Sequence, residues 1–140
     1  MLIGFERRDV ALDLIELIKE KYGDTCKMHS PLTKTQYNKA KKYLPKELSD
    51  ILKVSNGIDY IEIISGKTEV IKPIIYSLAH IKEQTNAFLS ECGNDGFVFS
   101  ENGTGDFYVL KSNGTIYVYK YFDLKEEFYA KSVSDYFNKM

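Results

Sequence analysis

Leu44-Pro45-Lys46-Glu47-Leu48-Ser49-Asp50-Ile51-Leu52-Lys53-Val54-Ser55-Asn56-Gly57-Ile58 contains a whole helix with its start and stop signals, and a strand leaves from its end. Pro45 suits the first helical position, because its fixed φ is already helical and its missing N–H has no intrahelical partner there. Leu48, Ile51, Leu52 and Ser55 recur at i, i+3, i+4 and i+7, which puts small and apolar groups on one face. Asn56-Gly57 tolerates the left-handed backbone of a helix C-cap, so the helix is expected to close there. The apolar run from Ile58 then opens a sheet.

The flanks extend this pattern. Asp9 can cap a helix running to about Tyr22, with Val10, Leu14, Leu17 and Ile18 inward and Gly23 placed to end it. Residues 24–31 read as a loop. Thr33 or Thr35 can cap a second helix that turns Tyr37, Ala40 and Leu44 inward and Lys34, Lys39, Lys41 and Lys42 outward. Beyond Ile58, Tyr60-Ile61-Glu62-Ile63-Ile64, a turn at Ser65-Gly66, and the stretch from Glu69 to Tyr76 are strand-like, with Pro73 marking a break or an edge. Leu78, Ile81, Phe88 and Leu89 have helical spacing up to about Cys92, with Gly93 as the stop. Phe97-Val98-Phe99, Phe107–Leu110 and Thr115–Tyr119 are strands, the last two joined by Asn113-Gly114, the pair that suits a two-residue type I′ hairpin. Ser132 can cap a final helix with Val133, Tyr136, Phe137 and Met140 inward. The order predicts an α+β fold in which helices cover one side of an antiparallel or mixed sheet and the other face stays open. No linker-like composition or internal repeat breaks residues 1–140, so a single domain is expected.

Three motifs carry a family resemblance. They are the Leu44-Pro45 helix closed by Asn56-Gly57, the patch Asn102-Gly103-Thr104-Gly105-Asp106-Phe107-Tyr108, and the closing Ala130-Lys131-Ser132-Val133-Ser134-Asp135-Tyr136-Phe137. In this order, over about residues 35–140, they resemble the signature of the SUKH superfamily of yeast cell-wall-assembly regulators and their bacterial relatives. The resemblance implies a non-enzymatic binding domain, often a bacterial immunity protein that neutralises a toxin. Its eukaryotic branch implies instead an intracellular regulator or scaffold.

Composition narrows the partner class. With 140 residues, 44% hydrophobic and 28% charged, the chain can bury a core unaided. Arg7 and Arg8 are its only arginines, so the side chain best suited to grip phosphate is nearly absent and nucleic acid is not the expected partner. No apolar run resembles a signal or membrane segment, and two cysteines are too few for a disulfide scaffold, so a reducing cytoplasm is expected.

Neither metal, cofactor nor catalysis is expected. Cys26-x-x-His29 has ligand-like spacing, and His80 and Cys92 would make four ligands, but the remaining intervals match no zinc module. A Cys–His nucleophile remains an alternative, although neither cysteine sits in a nucleophile motif and Cys92 falls on the helix face expected to be buried. Gly103-x-Gly105 lacks the Lys-Ser/Thr of a phosphate loop and reads as a hairpin connection.

Charge distribution says more. From Glu83 to Leu110 there is no Lys, Arg or His, while Glu83, Glu91, Asp95, Glu101 and Asp106 are acidic; Val54–Gly66 is also free of bases and carries Asp59 and Glu62. Lysines collect on the helices instead. The ordinary reading is solvated loops and helix faces. The functional reading is that Asp59, Glu62, Glu101 and Asp106 steer a basic toxin domain, such as a nuclease. Tyr117, Tyr119 and Tyr121 alternate along one strand and, joined by Tyr108, would form an interface if they stood on the open sheet face.

Overall fold

The computed structural model describes residues 10–92, 95–120, 122 and 125–139. Helix α1 spans Val10–Tyr22, α2 Lys34–Tyr43, α3 Lys46–Val54, α4 Leu78–Cys92 and α5 Val133–Asn138. Strands are β1 Cys26–Met28, β2 Ile58–Ile64, β3 Thr68–Ile75, β4 Phe97–Glu101, β5 Phe107–Leu110, β6 Ile116–Lys120 and β7 Lys125–Ala130. The fold is α+β, with antiparallel sheets in the orders β1-β2-β3 and β4-β5-β6-β7.

Helix α3 buries Leu48, Ile51, Leu52 and the following Ser55, as its spacing requires. Burying each large side chain of this kind is worth about 1.5–3 kcal/mol. Both ends differ from expectation. Pro45 is the N-cap, one position earlier than the first helical residue. The helix closes on Ser55 in extended conformation, and of the Asn56-Gly57 pair only Gly57 takes a positive φ, +96°. Asn56 has a different task. Its Oδ1 accepts the Leu78 N–H at 2.9 Å and so caps α4, while its own N–H donates to the Ser30 carbonyl at 3.1 Å. Ser55 Oγ accepts the His29 N–H at 2.8 Å and donates to the Gly57 carbonyl at 2.6 Å. Three consecutive residues thereby fasten the chain after β1, the start of β2 and the start of α4 to one another.

Thr33 caps α2 in a capping box with Gln36, each side chain accepting the other's backbone N–H. Ser132 caps α5, accepting the Asp135 N–H at 3.0 Å, and Val133, Tyr136 and Phe137 are buried as expected. The side chain of Val10, Gly93 and Met140 lie outside the described residues. Leu89 does not join the core: it is 42% exposed, because the buried stripe of α4 runs through Ile81, Thr85 and Phe88.

Strand β3 runs through Pro73, and the register of β2 against it shifts between Ile58 and Asp59, opposite this proline. The two sheets meet where the Tyr76 N–H donates to the Phe99 carbonyl at 2.9 Å and Ser100 Oγ donates to the Ile74 carbonyl at 2.5 Å. Strands β1 and β7 lie where no strand was expected. The connection of β5 to β6 is a three-residue loop, closed by Lys111 and Thr115, with Gly114 alone at positive φ, so the two-residue type I′ turn is not formed. Among the described residues no helix is long and apolar enough to cross a membrane.

Helices do not confine themselves to one side of the larger sheet. Phe107 pairs with Tyr119 and packs with it on Phe88 of α4, whereas the next residue, Tyr108, turns to the other face and meets Tyr136 of α5. An open face exists on the smaller sheet instead. Ile61 stands opposite Ile71 there, with Ile63 beside them, and Ile63 and Ile71 are 54% and 58% exposed.

Candidate functional site: an acidic groove with an aromatic floor

Strand β4 ends at Glu101, which is paired across the hairpin with Phe107 at the start of β5. Between them the Asn102 N–H bonds to the Asp106 carbonyl at 3.1 Å, and Asn102 Oδ1 accepts the Thr104 N–H at 3.0 Å. The Gly-x-Gly segment is therefore a hairpin connection, as its sequence predicts. It places Glu101 and Asp106 on the rim of a cleft of about 370 Å³, whose other wall is α4. From α4 come His80, Gln84, Phe88 and Glu91, spaced by four, four and three residues so that they share one face.

The floor is aromatic. Phe107 and Tyr119 stack at 5.0 Å, and Phe88 meets both edge-on at 5.7 and 5.4 Å. Tyr76 and His80 stack at 4.0 Å with planes only 3° apart. Tyr76 donates its hydroxyl to Glu101 Oε1 at 2.9 Å; burial first, and that carboxylate second, push its pKa far above the ordinary tyrosine value. Among the described residues the lining carries Glu91, Glu101 and Asp106 and no Lys or Arg.

The expected site residues divide among several places. Glu101, Asp106 and Tyr119 meet in this groove, though Tyr119 is only 6% exposed and belongs to the floor rather than to an exposed tyrosine face. Asp59 lies in an adjoining hollow with His29, Tyr76 and His80, where His29 Nε2 contacts its carboxylate at 2.5 Å. Glu62 is already paired with Lys72 at 2.7 Å. Tyr108 faces the opposite way, into a second cleft of about 190 Å³ with Tyr22, Tyr60, Tyr129 and Tyr136, which Glu101 also borders. Burial, chiefly, and the neighbouring Tyr129 raise the Tyr108 pKa to about 12. Tyr117 is half-buried against Phe128, with Lys111 Nζ 5.4 Å from its ring centre. Tyr121 lies outside the described residues. A single tyrosine-bearing open face is therefore not what forms. Adjacent strand residues alternate sides, and helices pack on both sides of this sheet, although Phe128 beside Tyr117 stays 56% exposed.

Tyr76, Phe88 and Phe107 were not singled out from sequence as site residues, while His80 entered only as a possible metal ligand and Glu91 only as part of the acidic run. The helical spacing of His80, Gln84, Phe88 and Glu91 was the available signal, but Phe88 reads equally well as core.

Among the described residues no three His, Cys, Asp or Glu side chains gather as metal ligands. Cys26 pairs with Tyr60 across β1 and β2, while His29 binds the carboxylate of Asp59, which alternation turns to the other face. Burial pushes the Cys26 thiol above its ordinary pKa, the reverse of an activated nucleophile. The side chain of Cys92 lies outside the described residues. Comparison with protein-family models, with curated proteins and with solved structures finds no match to this chain.

Proposed function

We propose that the chain is a binding protein that captures a basic protein partner in the Glu91–Glu101–Asp106 groove, and that it acts as a stoichiometric immunity protein toward a toxin domain. One observation carries this reading: three carboxylates rim an aromatic-floored cleft in whose lining, among the described residues, there is no Lys or Arg. Like-signed carboxylates left uncompensated cost stability through mutual repulsion, and a concave acidic site with low-dielectric walls focuses field and speeds encounter with a cationic surface. The half-buried rings of Phe107 and His80 supply contact area at low entropic cost once the partner docks. Occlusion of the partner requires no catalysis or cofactor. The resemblance of the Leu44-Pro45, Asn102–Tyr108 and Ala130–Phe137 segments to the SUKH superfamily supports the same reading.

The test is co-expression with the toxin-like C-terminal domain of a protein encoded next to this one. Growth rescue by the wild type, lost in Glu101→Lys/Asp106→Lys with the fold intact, is the expected result. Rescue unchanged by the double reversal removes the groove from the mechanism. A regulatory role like that of the eukaryotic branch is the second reading. The face on which Ile63 and Ile71 are exposed beside the half-buried Ile61 favours it as a further docking surface.

A further inference from the structure

We propose that the groove between the β4–β5 hairpin and α4 receives one arginine side chain of the partner, gripped at its guanidinium. This rests on the reading that the chain captures a basic protein, and it names the chemical group that enters the cleft.

The contacts of the rim define the charge that fits. Glu101 Oε1 accepts from the Tyr76 hydroxyl at 2.9 Å, and Asp106 Oδ2 accepts from the Asn102 side-chain amide at 3.3 Å. Both donors are neutral, so these bonds position the carboxylates without cancelling their charge. The lysines near the groove have carboxylate partners of their own: Lys72, which Glu101 also attracts, pairs with Glu62 at 2.7 Å, and Lys111, 5.9 Å from the Phe88 ring centre, pairs with Glu126 at 2.6 Å. A positive group entering the cleft completes the electrostatics.

The floor selects among positive groups. In the Phe107–Tyr119 and Tyr76–His80 stacks, Tyr119 and Tyr76 are buried, and the half-buried Phe107 and His80 are the aromatic surfaces available beside the carboxylates. A planar guanidinium can lie on such a surface and donate edge-on to carboxylates in its own plane, often through two parallel bonds. An ammonium is a compact, strongly hydrated point charge with no face to stack, and it loses more on leaving water. The volume of about 370 Å³ accommodates one such side chain, not a folded domain. The groove thus has the form of an anchoring pocket at an interface, where one buried arginine contributes a disproportionate share of affinity.

The test titrates the full chain with Nα-acetyl-arginine methylamide, followed by NMR on the side chains of Tyr76, Phe107 and Tyr119. The lysine and citrulline analogues serve as comparisons, citrulline being the uncharged relative of arginine. The expected result is a saturable shift of these rings, with arginine at least about tenfold tighter than citrulline and severalfold tighter than lysine, the scale of one or two charge-assisted hydrogen bonds. Glu101→Gln/Asp106→Asn, which keeps the shape and an acceptor for Tyr76, should weaken the arginine probe about tenfold without lowering the thermal midpoint. Equal binding of arginine and citrulline, equal binding of arginine and lysine, or shifts elsewhere on the chain overturn the proposal. Should the probe fail while Glu101→Lys/Asp106→Lys still abolishes toxin-domain rescue, the arginine seat is wrong and the capture reading stands. Failure of both overturns both.

Discussion

Gly57→Ala isolates the joint between the smaller sheet and α4. At φ +96° an alanine is strained, and its Cβ would sit 3.1 Å from Ser77 N and 3.3 Å from Ser77 Cα. Those atoms are backbone immediately before α4 and cannot swing aside as a side-chain tip would. The positive φ costs about 1–3 kcal/mol, offset by about 0.4–1 kcal/mol of lost unfolded-state entropy. The backbone clash adds a further ~1–2 kcal/mol, as overpacking does elsewhere. Gly66→Ala is the control, since it also has a positive φ, +75°, but nothing within 4 Å. Urea unfolding at constant m should therefore place Gly57→Ala about 1–2 kcal/mol below Gly66→Ala, and about 2–4 kcal/mol below wild type. Equal destabilisation of the two variants, or a loss under about 0.5 kcal/mol for Gly57→Ala, refutes the claim that this residue clamps β2 against α4.

Other consequences are open to direct measurement. Tyr136 donates to Ser100 Oγ at 3.0 Å, which in turn donates to the Ile74 carbonyl at 2.5 Å, so Tyr136→Phe should cost about 1 kcal/mol and Ser100→Ala more, since it orphans both neighbours; the reverse order in urea titrations contradicts the relay. Tyr108 has its folded pKa raised to about 12, so the stability it confers is complete below the unfolded value near 10 and is lost as pH climbs toward 12. Absorbance at 295 nm should show late-ionising tyrosines whose titration coincides with loss of circular dichroism; simple titration near pH 10 while the fold persists counts against a buried cluster. Burial opposes ionisation of Asp50, but hydrogen bonds from Lys46 and Tyr37 outweigh it and hold the carboxyl below its ordinary range. Its contribution is present at neutral pH and fades as pH falls through that lowered value, so Asp50→Asn should be less stable than wild type at pH 7, with the gap narrowing as pH falls below the ordinary carboxylate range. A constant gap across that range contradicts the assignment.

Helices were the legible part of this chain, because their periodicity and caps are local. Leu48, Ile51 and Leu52 announce their buried face without reference to anything distant, and Thr33 and Ser132 cap as their side-chain chemistry dictates. Pairing that depends on partners far along the chain was not legible. Strand β1 has three residues and no alternation of its own, and it exists because Cys26–Met28 finds Ile58–Tyr60. Strand β7, with two adjacent glutamates, forms against β6 despite its charges. Asn56 reads as a C-cap from its neighbours, but its side chain caps a helix beginning twenty-two residues later. Within the groove, the acidic rim could be foreseen from a run without bases. The floor could not, since Tyr119 on a strand and Phe88 on a helix become one surface only after the sheet and α4 pack.

Stopped-flow association of this protein with the adjacent-gene toxin domain, at several ionic strengths, bears most directly on capture by the acidic groove. Because Glu62 and Asp59 already have partners in Lys72 and His29, reversing Glu101 and Asp106 should slow association most, by about tenfold or more at low salt, and Glu62→Lys should change it little. Association rates that ignore salt, and that are the same for wild type and Glu101→Lys/Asp106→Lys, would contradict it.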